Sequence, residues 1–240
     1  MKQQFSVIVA DPPYAFQNPL KCKDGVKRSA ADIYPTLSIK EIAKMKVLDL
    51  AKEDSLLCLW VPSSLLPEGL EILKAWGFVH KQTYVWVKTI KQPFKKFLSS
   101  ARGIVSRYFK KKLSIKDSLV ELRDLLVNFD FSLMLGFGMG RVFRQSHEIA
   151  LIGTRGKITS KIKNKSQRSV TLAQNIRHSQ KPELLQNQLE LMLPASDGNT
   201  YLEIFGRRKR DGWTVLGNEV CKDKDGKPQD IRDSIEDLLI

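Results

Sequence analysis

The chain opens on a short apolar, β-branched run, Ser6-Val7-Ile8-Val9-Ala10, that stops abruptly at Asp11-Pro12-Pro13. Consecutive prolines supply no backbone donors and hold φ near −65°, so the run reads as a strand that must turn at Asp11. Residues 37–50 follow with a helical pattern, Ser38 as N-cap and Glu41 three residues on, the spacing of a capping box. The run 55–62, SLLCLWVP, predicts a buried strand. Pro67 opens a helix that runs through Trp76 and is closed by Gly77. Further strands are predicted over 82–88, 148–153, 201–205 and 213–216, with an amphipathic helix over 182–193. Strands alternating with helices predict an open, largely parallel sheet and an α/β fold.

Between 93 and 130 the pattern changes. Residues 102–112 place Ile104, Val105, Tyr108 and Phe109 at helical spacing with basic residues between them. Residues 118–129 continue with Leu119, Leu122, Leu125, Leu126 and Phe129, and Ser118 with Glu121 reads as a second capping box. We read 93–130 as a helical basic insertion within one domain spanning 1–240. The loop at Gly136, Gly138 and Gly140 is either a mobile active-site loop or a plain hairpin. Residues 154–170 read as a basic loop, and the charged tail over 221–240 reads as peripheral.

Charge sharpens this picture. The formal net charge is +14. Residues 88–125 hold 11 Lys or Arg against 3 acids, and 155–168 hold 6 basic residues and no acid. The excess sits in two stretches, which suits a polyanion-binding surface better than an evenly basic chain would. Candidate nucleic-acid contacts are therefore Lys88, Lys110, Lys111, Lys112, Arg155, Lys161 and Lys163. The aromatics Tyr108 and Phe109 among the lysines favour nucleic acid as partner of the insertion, although an oligomerisation arm would carry the same residues. Cys22, Cys58 and Cys221 are widely spaced with no histidine at ligand distance, which argues for a reducing compartment and against a zinc site. No metal is expected. No apolar run reaches the roughly 18–20 residues of a membrane span, and the start of the chain lacks a signal-peptide pattern, so the expected location is cytoplasmic.

The sharpest chemical signal is Asp11-Pro12-Pro13-Tyr14, placed at the carboxyl end of a strand, where open α/β sheets bind ligands. Methylating an exocyclic amine requires positioning above all, because the nitrogen lone pair is delocalised into the ring. A carboxylate at Asp11 and the carbonyl of Pro12 can accept both amino hydrogens, and Tyr14 offers a face on which an extruded base can stack. Near the other end, Tyr201-Leu202-Glu203-Ile204-Phe205-Gly206-Arg207 is a strand entering a glycine turn, where Glu203 can bind a ribose hydroxyl. Each motif has a plain alternative, a turn or a core strand. His147 and His178 read as structural or substrate-loop residues, since the reaction needs no strong base.

Ten ordered segments carry a resemblance. They are Asp11-Pro12-Pro13-Tyr14, Tyr34-Pro35-Thr36-Leu37-Ser38, Leu59-Trp60-Val61, Trp76-Gly77-Phe78, Trp86-Val87-Lys88, His147-Glu148, Gly153-Thr154-Arg155-Gly156, 178–183, 203–207 and 212–219. Together they resemble the MT-A70 family of adenine-N6 methyltransferases, over nearly the whole chain outside 93–133 and the tail. The resemblance implies a Rossmann-like class I methyltransferase fold with permuted motif order, S-adenosyl-L-methionine as cofactor, and methyl transfer by in-line displacement. It also implies roles. Asp11, Pro12, Pro13 and Tyr14 hold the adenine; Ile8, Val9 and Asp11 line the pocket; Lys181, Glu203, Arg207, Asn218 and Glu219 serve the cofactor. Two positions depart from the family pattern: Tyr14 stands where Trp is frequent, and the turn Arg208-Lys209-Arg210-Asp211 differs from the eukaryotic subunit, so no ribose contact is carried over there. The prokaryotic and phage relatives favour DNA as substrate, with RNA second. A catalytically silent nucleic-acid-binding subunit, a homo-oligomer and a partner subunit remain compatible with the sequence.

Overall fold

Strand β1 (Phe5–Ala10) has every side chain buried, the signature of a strand covered on both faces, and it lies inside the sheet. The computed structural model describes residues 3–15, 36–140, 142–175 and 181–240. Cys22, Tyr34, Pro35 and His178 lie outside the described residues. The remaining strands are β2 (Ala51–Val61), β3 (Val79–Thr89), β4 (His147–Arg155), β5 (Val170–Gln174), β6 (Tyr201–Ile204) and β7 (Trp213–Leu216), in the order β5-β3-β4-β2-β1-β6-β7. β1 runs parallel to both β2 and β6, and β6 runs parallel to β7. β4 is antiparallel to β2, with Ser55 facing Arg155 and Val61 facing Ile149. The α/β expectation therefore holds, but the sheet is mixed. Strand direction depends on the connection between strands, and a hydrophobic pattern alone does not encode it.

By contact the chain divides into two compact units, Met1–Trp86 with Glu148–Thr171 and Glu183–Ile240, and Val87–His147 with Leu172–Pro182. In the first, the predicted helix over 37–50 is two pieces, α1 (Ile39–Ala43) and α2 (Val47–Leu50). The Ser38–Glu41 capping box is present. On an unbroken helix Val47 would lie about 140° around the axis from Ile42. The break at Lys44–Lys46 lets Ile42, Val47 and Leu50 all enter the core. Helix α3 (Leu66–Ala75) ends at Gly77, whose φ of 80° is the left-handed conformation a helix stop requires. Trp76 is buried and its indole N–H donates to the Ile42 carbonyl at 3.0 Å, which joins α3 to α1. The charged tail also carries an amphipathic helix. Helix α7 (Ile231–Leu239), capped by Asp230, buries Ile231 and Ile235 in the main core while its acidic residues face out.

The second unit holds α4 (Lys95–Phe109) and α5 (Ile115–Val127), an αα-hairpin closed by Ile104, the edge-on ring pair Phe97–Phe129 at 5.3 Å and the Arg107–Glu121 ion pair. The α5 cap is Ser114, whose Oγ accepts from the Asp117 N–H at 3.1 Å. Ser118 lies inside the helix and donates to the Ser114 carbonyl, so the expected Ser118 cap starts one turn late. Gly138 and Gln145 exchange backbone bonds of 2.8 and 3.2 Å, which makes this part of the glycine loop a hairpin. Among the described residues no helix is long and apolar enough to cross a membrane, and no three His, Cys, Asp or Glu residues cluster at metal-binding distance.

Candidate active site

Three parallel strands, β1, β6 and β7, end at the same edge of the sheet. Ala10 pairs with Ile204, and Ile204 with Leu216, so the turns at Asp11, Phe205-Gly206 and Gly217-Asn218-Glu219 are neighbours. The chain leaves β1 toward β2 on one side and returns as β6 on the other. The order reverses at β1, the position where open α/β sheets take their ligands.

Asp11 is the first residue beyond β1, and its N–H donates to the Ile204 carbonyl at 3.3 Å, fixing where the turn begins. Pro12 has no N–H to give, and its carbonyl accepts the Tyr14 N–H at 3.0 Å, leaving its second lone pair for an incoming donor. Pro13 accepts from the Leu37 N–H and Ala15 donates to the Leu37 carbonyl, so the turn is bridged to the segment leading into α1. Tyr14 is 4 % exposed and donates its hydroxyl to the Trp60 carbonyl at 2.9 Å; burial pushes its pKa well up, and Asp11 adds to the shift. The tyrosine thus braces the turn against the end of β2. Ile8 and Val9 are buried in β1 beneath it.

Glu203 pairs with Val9 across β1 and β6 and is largely withdrawn from water. Burial pushes its pKa up to about 6; the Gln186 amide opposes the shift, and the negative charge of Asp11 adds to it. Gln186, on the buried face of α6 (Leu184–Met192), gives Glu203 a long hydrogen bond of 3.4 Å, and its own Oε1 is buried with no partner among the described residues. Two neighbouring acceptors short of donors are what a ribose diol would satisfy, so the residues fit a nucleoside-bearing cofactor. Gln186 was not legible as a site residue; the signal is a glutamine flanked by the core leucines Leu185 and Leu189.

The glycine turn is built by close approach. A Cβ on Gly217 would lie 2.1 Å from the Gly206 carbonyl oxygen, while the Gly206 N–H donates to Leu216 at 2.9 Å. Phe205, between β6 and this turn, holds φ at 69°, a left-handed conformation that costs a residue with a Cβ on the order of 1–2 kcal/mol. Arg207 and Glu219 are both exposed and face each other at 3.7 Å, with Asn218 beside them on the surface. Arg210 secures the same turn to α6, reaching Glu183 at 3.0 Å, Glu190 at 2.9 Å and Asn187 at 2.7 Å, and lying over Trp213.

The other sequence candidates sit elsewhere. Lys181 and Lys88 belong to the second unit, where Lys88 is 8 % exposed. In the first unit Arg155 donates to the Ala51 and Lys52 carbonyls, Lys161 pairs with Asp54 at 2.8 Å and Lys163 with Asp197 at 3.5 Å. Lys110, Lys111 and Lys112 are exposed at the turn after α4. His147 opens β4.

An open α/β sheet with an acid-and-proline turn on one strand and a glycine turn with a half-buried acid on the next defines a class of α/β proteins that take ligands at their strand ends. Comparison with known proteins narrows it: the MT-A70 profile matches residues 5–108 and 125–219, and the chain belongs to the MT-A70 family. It is similar to the Type II methyltransferase M.MunI of a Mycoplasma species, 22 % identical over 237 residues that cover 93 % of this chain and 81 % of that protein. It is also similar to the N(6)-adenosine-methyltransferase MT-A70-like protein of Arabidopsis thaliana, 23 % identical over 218 residues, 90 % of this chain and 24 % of that protein. The METTL3 catalytic subunit of Homo sapiens matches at 29 % over 86 residues, 36 % of this chain and 13 % of its own length. The chain thus spans about a quarter of the plant relative's length.

Proposed function

We propose that this chain transfers a methyl group from S-adenosyl-L-methionine to the N6 amino group of adenine in DNA, on a Rossmann-like fold whose target-amine segment precedes its cofactor segment. The observation that carries the reading is the adjacency of the Asp11-Pro12 turn and the Glu203/Gly206/Gly217 turn at the carboxyl ends of parallel strands. The cofactor, when bound, supplies an electrophilic methyl on a sulfonium centre. Glu203 and Gln186 would hold its ribose hydroxyls, with Arg207, Asn218 and Glu219 along the outer rim. Asp11 and the Pro12 carbonyl accept the two amino hydrogens of the adenine, aiming the nitrogen lone pair out of its ring conjugation, and Tyr14 keeps that turn rigid. Positioning of this type is worth several kcal/mol of a methyl-transfer barrier.

DNA is preferred because the match spans most of a Type II methyltransferase. RNA is the second reading, favoured by the relatives named as adenosine methyltransferases. We read the basic helical hairpin as an insertion on this core; the family match takes in α4 as far as Tyr108 and leaves out 109–124, the tip and most of α5. The test is a methylation assay on duplex DNA, single-stranded DNA and RNA, with products digested to nucleosides and weighed. N6-methyladenine on DNA above RNA supports the reading; product on RNA alone transfers it to the second; none on any polymer leaves a silent subunit.

Glu203 makes the cofactor step pH-dependent. Its carboxyl is easier to protonate folded than unfolded, so ionising it opposes folding. Stability should therefore fall by on the order of 2 kcal/mol as pH rises from the ordinary carboxylate range through about 6. Cofactor hydroxyls prefer the ionised carboxylate, so affinity should rise through the same window. Calorimetric titrations at pH 5 and 7.5 should show the gain in wild type and lose it in Glu203→Gln; equal pH dependence in both would remove Glu203 from the site.

A further inference from the structure

The family match breaks at the loop joining α4 to α5: it stops at Tyr108 and resumes at Leu125. Phe109 is 77 % exposed and Tyr108 is 40 % exposed, their rings meeting edge to face at 5.5 Å. Three lysines follow directly, all exposed, and none of their ammonium groups is ion-paired among the described residues. The acids nearby are engaged: Asp117 accepts from Ser114 at α5's cap, and Glu121 pairs with Arg107. Tyr108, Phe109, Lys111, Lys112, Leu113, Ser114 and Asp117 line an open groove of about 600 Å³.

The backbone adds a second observation. Helix α4 ends with Lys111 and Lys112 donating their N–H groups to Tyr108 and Arg107, and Lys111 takes φ of 55°. That left-handed position at a helix end is one where glycine is preferred and a Cβ is disfavoured. A lysine there keeps a third cation in the row at the expense of local fit, and strain of this kind collects at functional sites.

We propose that this hairpin tip is a nucleic-acid subsite, stacking an unpaired base on Phe109 and Tyr108 and holding the adjoining phosphates on Lys110, Lys111 and Lys112. The choice of ligand rests on the proposed action on nucleic acid. Alternating aromatic faces and cations bind strands with little sequence preference, because every base has a π-face and every nucleotide a phosphate. Of the seven basic residues singled out in the sequence, these three are both exposed and unpaired among the described residues, whereas Lys161 and Lys163 already have carboxylate partners.

The test is fluorescence anisotropy of a labelled single-stranded DNA of roughly 12 nucleotides and of its duplex, with the full chain over a range of salt. The triple variant K110A/K111A/K112A should lower the log–log salt slope by about 2, and Phe109→Ala should weaken single-strand binding about tenfold with the slope unchanged. Phe109→Trp should restore affinity. Lys111→Gly separates binding from folding, since it should raise thermal stability while weakening the complex. K222A/K224A/K227A, which removes three exposed tail lysines, should change neither quantity. Wild-type affinity and slope in the tip variants overturn the subsite. Loss of self-association in those variants with nucleic-acid binding intact overturns it in favour of a protein contact. Methylation by wild type alongside tip-independent binding sinks the subsite alone. Tip-dependent binding with no methylation on any polymer keeps the subsite and sinks the proposed reaction.

Discussion

Asp11→Ala should lose about three orders of magnitude in the single-turnover methylation rate at saturating cofactor, while cofactor affinity changes by less than about tenfold. The amino nitrogen of adenine is a weak nucleophile until its two hydrogens are taken by fixed acceptors. Removing Asp11 leaves the Pro12 carbonyl, whose remaining lone pair can hold one hydrogen but cannot set the nitrogen's direction. The Asp11 backbone bond to Ile204 survives the substitution, so the strand end and the neighbouring Glu203 stay in place. Asp11→Asn keeps one carbonyl acceptor without its charge and should fall between wild type and alanine. Retention of a rate within tenfold of wild type by Asp11→Ala would move the amine-holding role elsewhere.

Gly217→Ala should be the most damaging single methyl group in the first unit. The added carbon would meet the Gly206 carbonyl oxygen at 2.1 Å and the Gly206 nitrogen at 3.0 Å, and both are backbone atoms with no rotamer to escape into. The β6 and β7 turns must separate, stretching the Gly206–Leu216 bond. Overpacking of this kind costs about 1–3 kcal/mol, and the same displacement moves the wall of the proposed ribose site, so cofactor affinity should fall at least about tenfold. Gly103→Ala is the contrast. It lies within α4 with no atom within 4 Å of a new Cβ, and should stabilise by up to about 1 kcal/mol. Urea unfolding and a cofactor titration on the two variants check both statements. Wild-type stability in Gly217→Ala would mean that the turns have slack.

Much of the frame was legible because local chemistry and burial agree there. β1 is marked by its apolar run and two prolines, α3 by Pro67 and Gly77, and β7 by Trp213–Leu216, the span the structure has. The positions of Asp11 and Glu203 at strand ends follow from the same signals. Where tertiary forces decided, the pattern was silent. The break between α1 and α2 serves the core, not helix propensity. β5 is a short strand with Leu172 more than half exposed, so its burial never wrote a pattern into the residues around it. The direction of β4 depends on its connection, and α7 looks peripheral because only one narrow stripe of it is apolar. Gln186 meets Glu203 from α6, 17 residues earlier in the chain, a contact in space that no motif in the sequence marks.

The place of β1 has a consequence for how the protein is made. It is flanked by β2 on one side and β6 on the other, yet 190 residues separate its end from the start of β6. At about 5–20 residues per second, a ribosome takes on the order of ten to forty seconds to deliver the second neighbour. Throughout that interval one edge of a strand that is apolar but for Ser6 has its ladder groups open, an arrangement prone to pairing with another nascent chain. Asp11 likewise waits for Glu203 and Gly217, so under the proposed function a translating chain would hold its amine-binding turn long before its cofactor turn. The final strands therefore act as both the lock on the sheet and the switch that arms the site.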